Sequence, residues 1–112
     1  MTTQNRLIAA LLAAFPDASQ ADIARKCGLS PPRFNNYTQG SRSMDDDAVI
    51  GCARALGMDA RALVAEHRAD VAKTERERRF WRKLQSVAMP IMSSGRAWIR
   101  RVVTPLARLL PA

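Results

Sequence analysis

The sequence has few aromatic residues, few cysteines and no long uncharged run, and each shortage excludes a class of protein. Aromatic side chains form 5% of the 112 residues, whereas alanine, leucine and arginine are common, which favours helices over strands. The longest uncharged stretch, residues 84–95, contains Pro90 and is too short to span a bilayer. Because the first residues show no signal-peptide pattern, we expect a cytoplasmic protein.

The residues that enzymes and metal sites need are also scarce. Cys27 and Cys52 have neither CxxC spacing nor a neighbouring histidine, so we expect reduced core residues. His67, the single histidine, is expected on a surface helix with no nucleophile or carboxylate constellation around it. Residues 45–47 are three aspartates, which suit the first turn of a helix better than a metal site because adjacent helical side chains diverge. We therefore expect no enzyme activity, no cofactor and no bound metal.

Acidic residues are unevenly distributed, and this determines where the net charge of +8 lies. Residues 1–59 hold six basic and six acidic side chains, so they are neutral overall. Residues 60–112 hold twelve basic and four acidic side chains, with no acidic residue after Glu77. Such asymmetry indicates a polyanionic partner, either nucleic acid or an anionic membrane surface.

Apolar spacing and capping residues predict an all-α protein, with five helices in residues 1–73 and a basic helical extension in residues 74–112. Ser19 and Asp59 are predicted N-caps, and Gly28 is placed to end the second helix. The fifth helix is expected to return Leu63, Val64 and Val71 to the core. The predicted helices cover residues 4–15, 20–27, 31–38, 45–56, 60–72, 74–89 and 96–110.

The extension has an apolar side in both of its predicted helices. Thr74 to Glu77 fits a capping box, and Phe80, Leu84 and Val87 then share one face with Trp81 beside it. We interpret these aromatic residues as packing groups rather than a base-stacking platform. Residues 96–110 place apolar and arginine side chains on opposite sides, and Pro105 should interrupt that helix.

Residues 20–39 have small and apolar side chains at the positions where two helices that cross over a short turn need them. The fifth position from Gln20 is Ala24, which is small enough for the helices to approach, and the ninth is Gly28, which tolerates a left-handed backbone. The apolar positions that should face the core are Ile23, Cys27, Leu29, Phe34 and Tyr37. This spacing is typical of a helix-turn-helix.

On these residues the chain resembles the bacteriophage repressor and Cro-like helix-turn-helix family, also called the XRE family. The resemblance covers residues 4–72 and includes Gly40, Ser41 and Arg42 after the third helix. The arginine-rich, tryptophan-bearing stretch that follows looks like the extension of small regulators from filamentous phages and prophages. The resemblance implies a sequence-specific regulator of transcription, such as a phage repressor, that binds double-stranded DNA.

The resemblance also implies which residues contact DNA. Ser19 and Gln20 open the second helix, where the family binds a phosphate. Gln39 and Arg42 would contact the flanking DNA backbone. Base edges in the major groove would meet the exposed residues of the third helix, which are Ser30, Pro31, Pro32, Arg33, Asn35 and Asn36. Within this set Arg33 suits guanine and Asn36 suits adenine, whereas the family often has long polar side chains in place of the two prolines.

A neutral helix-turn-helix lacks the phosphate-neutralising charge on which DNA affinity largely depends, so the basic extension needs a role. It can add phosphate contacts, pair with a second chain to form a homodimer on a palindromic operator, or lie on an anionic membrane surface through its amphipathic tail with Trp98 at the interface. Dimerisation together with DNA contact is the preferred interpretation. The alternative is a membrane-associated or protein-binding phage protein.

Overall fold

The computed structural model describes residues 1–88, which form six α-helices and no strand. The all-α prediction is confirmed for this part of the chain. The helix predicted over residues 96–110 lies outside the described residues. In chain order the helices are α1 (Thr3–Ala14), α2 (Gln20–Lys26), α3 (Pro31–Thr38), α4 (Asp46–Leu56), α5 (Ala60–Asp70) and α6 (Glu75–Ala88).

Side-chain oxygens cap the starts of these helices, as the sequence predicts. The Ser19 side chain accepts a hydrogen bond from the Asp22 amide, and the Asp59 side chain accepts one from the Arg61 amide. The Thr74 hydroxyl accepts from the Glu77 amide at 3.2 Å, which fixes the start of α6 where the capping box places it. These bonds satisfy amides that have no acceptor inside the helix.

Three glycines with left-handed backbone follow helices, among them Gly40 after α3. Gly28 follows α2 and Gly57 follows α4, both with φ of 71°, a conformation that costs other residues a steric penalty. The end of α5 differs from the prediction, because that helix stops at Asp70 and Val71 already has non-helical backbone. The expectation that Val71 returns to the core is wrong, since its side chain is exposed.

The core lies between α1, α4 and the α2–α3 pair, with α5 closing it. Both cysteines are free and buried there, as predicted. Each large apolar side chain removed from water stabilises the fold by roughly 1.5–3 kcal/mol. The largest fully buried side chains include Leu7, Leu11, Ile23, Phe34, Val49 and Leu56.

The side chain of His67 is buried, although its helix was expected at the surface of the protein. It is 4% exposed, and its Nε2 lies 2.8 Å from the Met44 carbonyl oxygen, to which it donates as the protonated nitrogen. Among the described residues, no hydrogen-bond partner faces the buried Nδ1 atom. This histidine therefore joins α5 to the loop after α3, a structural role that the apolar pattern of α5 did not indicate.

The extension begins with α6, which packs against α5. Arg68 of α5 lies over the Trp81 ring at 4.8 Å and also pairs with Asp46 of α4. Phe80 meets Trp81 edge to face at 5.1 Å, yet it remains 57% exposed, and Leu84 on the same helix is 42% exposed. The aromatic pair thus packs only in part, leaving an apolar strip on α6.

None of the helices within residues 1–88 combines the length and apolar character that crossing a bilayer requires.

Candidate nucleic-acid interface

The turn between α2 and α3 is built by the residues that the sequence singled out. The Leu29 amide donates to the Ala24 carbonyl at 2.9 Å, and Gly28 supplies the left-handed residue that reverses the chain. Ala24 is fully buried, so that α3 crosses close to α2 at a position where a larger side chain would separate the helices. The predicted inward positions are all buried: Ile23, Ala24, Cys27, Leu29, Phe34 and Tyr37.

The opposite side of α3 faces solvent. Phe34 and Tyr37 anchor the helix in the core, which leaves its polar positions on the outer surface. Ser30 is the N-cap, with its hydroxyl accepting from the Arg33 amide at 3.3 Å, and the prolines at the first two helical positions need no acceptor for an N–H. Ser30, Pro32 and Gln39 are exposed, while Pro31, Asn35 and Asn36 are partly exposed.

Asn35 and Asn36 are the neutral hydrogen-bonding groups of this surface. Within residues 1–88 neither side-chain amide has a hydrogen-bond partner, whereas the backbone carbonyls of both residues accept bonds from residues 38–41. The backbone of this edge is therefore fixed while the amide groups stay free to bind another molecule. An asparagine amide carries the adjacent donor and acceptor that match an adenine edge.

The start of α2 is attached directly to the end of α3. Gln20 Nε2 donates to the Thr38 hydroxyl at 3.0 Å, so the two predicted phosphate-contact residues, Ser19 and Gln20, lie beside the C-terminal turn of α3. Hydrogen bonds from Ser19 hold the pKa of Asp22 below its usual range. Both predicted residues are exposed, but their side chains also serve the fold, Ser19 as a cap and Gln20 as a link between helices.

Arg33 has a different environment from its neighbours on α3, because its guanidinium is bound within the protein. Its Nε donates to the Tyr37 hydroxyl at 2.9 Å, and its Nη2 lies 2.7 Å from an Asp45 oxygen. Asp47 lies 3.5 Å from the Nη1 atom. The hydrogen bond to Tyr37 and the charge of Asp45 raise the pKa of Arg33 further above its high ordinary value. Arg33 thus connects α3 to the start of α4.

Gln4 supports the loop after α3, a role that the sequence analysis missed. Its buried amide donates to the Tyr37 carbonyl at 3.2 Å and the Arg42 carbonyl at 2.9 Å, and accepts from the Met44 amide at 2.8 Å. These bonds fix the backbone beside Gln39 and Arg42, whose side chains remain exposed. The available signal was its spacing, because Gln4 shares a helical stripe with Leu7 and is therefore directed inward.

The three aspartates at the start of α4 all have partners, and two of them, Asp45 and Asp47, share Arg33. Asp45 caps the helix, Asp46 pairs with Arg68, and Asp47 pairs with Arg33. The hydrogen bond from Arg68 lowers the pKa of Asp46. Among the described residues, no three His, Cys, Asp or Glu side chains are placed together to hold a metal ion.

The exposed residues of α3 and the start of α2, joined by the Gln20–Thr38 bond, form the candidate surface, with Arg33 directed toward α4 at its edge. Most charges around this surface are neutralised internally, since Arg25 pairs with Asp22 and Arg33 with Asp45. Arg42 is a cation with no ion pair within residues 1–88. Such a surface offers neutral hydrogen-bonding groups with little net charge.

Comparison with protein-family models, curated proteins and solved structures finds no match for this chain. The candidate interface is therefore interpreted from its own geometry and charge.

Proposed function

We propose that residues 1–73 form a helix-turn-helix of the repressor type, in which α2 and α3 bind double-stranded DNA and α3 enters the major groove. The observation that carries this proposal is the outer edge of α3, where Pro32, Asn36 and Gln39 stand one helical turn apart on a helix whose other side is buried. The Gln20 to Thr38 bond holds the start of α2 next to this edge. A rigid polar helix edge beside a second helix start is the arrangement that reads bases and positions phosphates.

In this proposal the neutral amides carry the sequence preference. Within residues 1–88 the side-chain amides of Asn35 and Asn36 have no hydrogen-bond partner, and an asparagine that pairs bidentately with adenine contributes about 1–3 kcal/mol of discrimination. Gln39 and Arg42 lie on the segment that Gln4 fixes, where they contact the flanking phosphates. Pro31 and Pro32 supply apolar contact, for which the thymine methyl group is the matching feature of the major groove.

We further propose that the chain acts in the cytoplasm as a homodimeric regulator of transcription. Exposed Phe80 and Leu84 on α6 support the dimer, because large apolar side chains clustered on one helix are typical of an interface. A twofold axis would pair two copies of α3 with the halves of a palindromic operator. The basic residues of α6 would add the phosphate contacts that the first five helices lack.

Selection of bound duplexes from a random DNA pool tests this function. We expect a palindromic consensus with half-sites about one helical turn apart. The Asn36→Ala variant should then bind the selected duplex about 5- to 150-fold more weakly, corresponding to the loss of one base contact, while its binding to random duplex stays unchanged. Asn5→Ala, at an exposed position of α1, is the matched control. Recovery of no consensus, or equal loss on both duplexes, would refute the assignment of α3.

A further inference from the structure

The ion pairs of Arg33 are the feature of this surface that bears on specificity. One Nη2 atom contacts both Asp45 carboxylate oxygens at 2.8 and 2.7 Å, while Nη1 faces Asp47 and Nε is bound to Tyr37. Each of the three guanidinium nitrogens therefore already has an acceptor inside the protein. A guanidinium has five N–H donors, so Arg33 keeps a donor for another acceptor, but the carboxylates of Asp45 and Asp47 offset its charge and hold it toward α4.

The charges at this position sum to a negative value. Two carboxylates face one guanidinium, and the side chains of Arg33, Asp45 and Asp47 are 35%, 61% and 80% exposed. Asp45 also accepts from the Ala48 amide at 2.8 Å as the cap of α4. Asp47 forms no hydrogen bond or ion pair other than that with Arg33 within residues 1–88, and its place in the first turn of α4 adds a favourable interaction with the helix dipole.

We expect these ion pairs to reduce the affinity for random DNA more than the affinity for a selected sequence. Binding to random DNA depends almost entirely on phosphate contacts, whereas binding to a selected sequence also uses base edges. Because Arg33 is bound internally and Asp47 adds a negative charge, the edge of α3 binds phosphates more weakly. The side-chain amides on α3, which have no partner within residues 1–88, are unaffected. The net effect is a larger ratio of specific to non-specific affinity.

We infer that Asp45 and Asp47 are specificity-determining residues, which keep Arg33 from pairing with the phosphates of random DNA. This inference rests on the proposed DNA-binding function. It assigns Arg33 to positioning α3 against α4, and it assigns recognition to the neutral side chains of α3.

The test is the salt dependence of binding by the full chain to a random-sequence duplex and to the selected duplex. The Asp45→Ser/Asp47→Asn variant keeps a capping oxygen and removes both charges. We expect several-fold tighter binding to random duplex at low salt, with the slope of log K against log salt steeper by about 0.9, the value for one added phosphate contact. Because the selected duplex should gain less, the specificity ratio should fall. Adding Arg33→Gln to this variant should remove the steeper slope.

Three comparisons keep the result interpretable. Asp47→Asn alone leaves the α4 cap intact and should show part of the gain, whereas Asp17→Asn, at an exposed carboxylate with no ion pair within residues 1–88, should leave the specificity ratio unchanged. Thermal unfolding monitored by circular dichroism verifies that each variant is folded. An unchanged slope, or a steeper slope that persists without Arg33, would overturn the inference while leaving DNA binding standing. If the wild type and every variant fail to bind any duplex at low salt, the proposed function fails and the inference with it.

Discussion

Gly51 lies in the middle of α4, where glycine is normally unfavourable, and its lack of a side chain has a packing consequence. The α2 backbone approaches so closely that a Cβ atom at this position would overlap the carbonyl oxygen of Cys27. The contact joins the end of α2, just before the turn, to the middle of α4. The absence of a Cβ atom at Gly51 therefore allows the α2–α3 pair to pack closely against α4.

Substituting Gly51→Ala should destabilise the protein. Helix propensity alone favours alanine by about 1 kcal/mol, but the overlap with the Cys27 backbone should cost more, in the range of roughly 1–3 kcal/mol for an overpacked core. Urea unfolding gives the sign directly. A variant more stable than the wild type would show that α2 and α4 are not in close contact.

At the scale of the helices, polar side chains near the helix ends hold neighbours that are distant in sequence. The Asp70 carboxylate at the end of α5 accepts from the amide of Thr3 at 2.7 Å and from its hydroxyl at 2.6 Å, which attaches α5 to the start of α1. Burial by itself raises the pKa of Asp70, but the two bonds from Thr3 together with the nearby charge of Arg6 lower it, so that the pKa lies below its ordinary value.

This link predicts a dependence of stability on pH. Because the folded-state pKa of Asp70 lies below its unfolded value of about 3.9, the stabilisation is fully present above that value and is lost as the pH falls through the folded-state pKa. Asp70→Asn should therefore reduce the free energy of unfolding by about 1 kcal/mol at pH 7, with the difference from wild type shrinking below about pH 4. Urea unfolding from pH 7 to pH 3 measures this.

Asp17→Asn is the control for this titration, since Asp17 is exposed and has no hydrogen bond or ion pair within residues 1–88. It should match the wild type across the whole pH range. A constant difference between Asp70→Asn and wild type at every pH would contradict the role assigned to the carboxylate.

At the scale of the whole molecule, charge and apolar surface are separated along the chain. Residues 1–59 have no net charge, and most of their charged side chains form ion pairs within the protein, such as that of Arg33 with Asp45. Most of the basic excess, together with the exposed Phe80 and Leu84, belongs to the part that begins with α6. This division is what the proposed function requires of a recognition unit joined to a segment that adds phosphate contacts and a dimer interface.

Phe80→Gln/Leu84→Gln should weaken dimerisation of the full chain. Each large apolar side chain buried at an interface contributes roughly 1.5–3 kcal/mol, so the dimer dissociation constant should rise at least tenfold by sedimentation equilibrium. Leu12→Gln, at an exposed leucine of α1, is the matched control and should leave the constant unchanged. A wild type that remains monomeric at high concentration, or an equal effect of both variants, would exclude α6 as the interface.

Local sequence was enough to place the helices and the turn between α2 and α3. Ser19 and Asp59 cap as predicted, and Ala24 and Gly28 occupy the positions that their size and backbone freedom require. Helical periodicity and capping act over three or four residues, so both can be read along the chain. The end of α5 was misplaced because Val71 continues the apolar pattern one residue beyond the helix.

By itself the sequence determined the helices, most of the inward faces and the neutral charge of the first half. Only the tertiary structure decided which polar side chains bind partners inside the protein. Arg33 binds Asp45, which is 12 positions away, and Met44 is bound by Gln4 and His67, which are 40 and 23 positions away. Such partners are brought together by helix packing, and no periodicity within one helix encodes them. The side chains available for the proposed DNA contacts are those that the fold itself does not use.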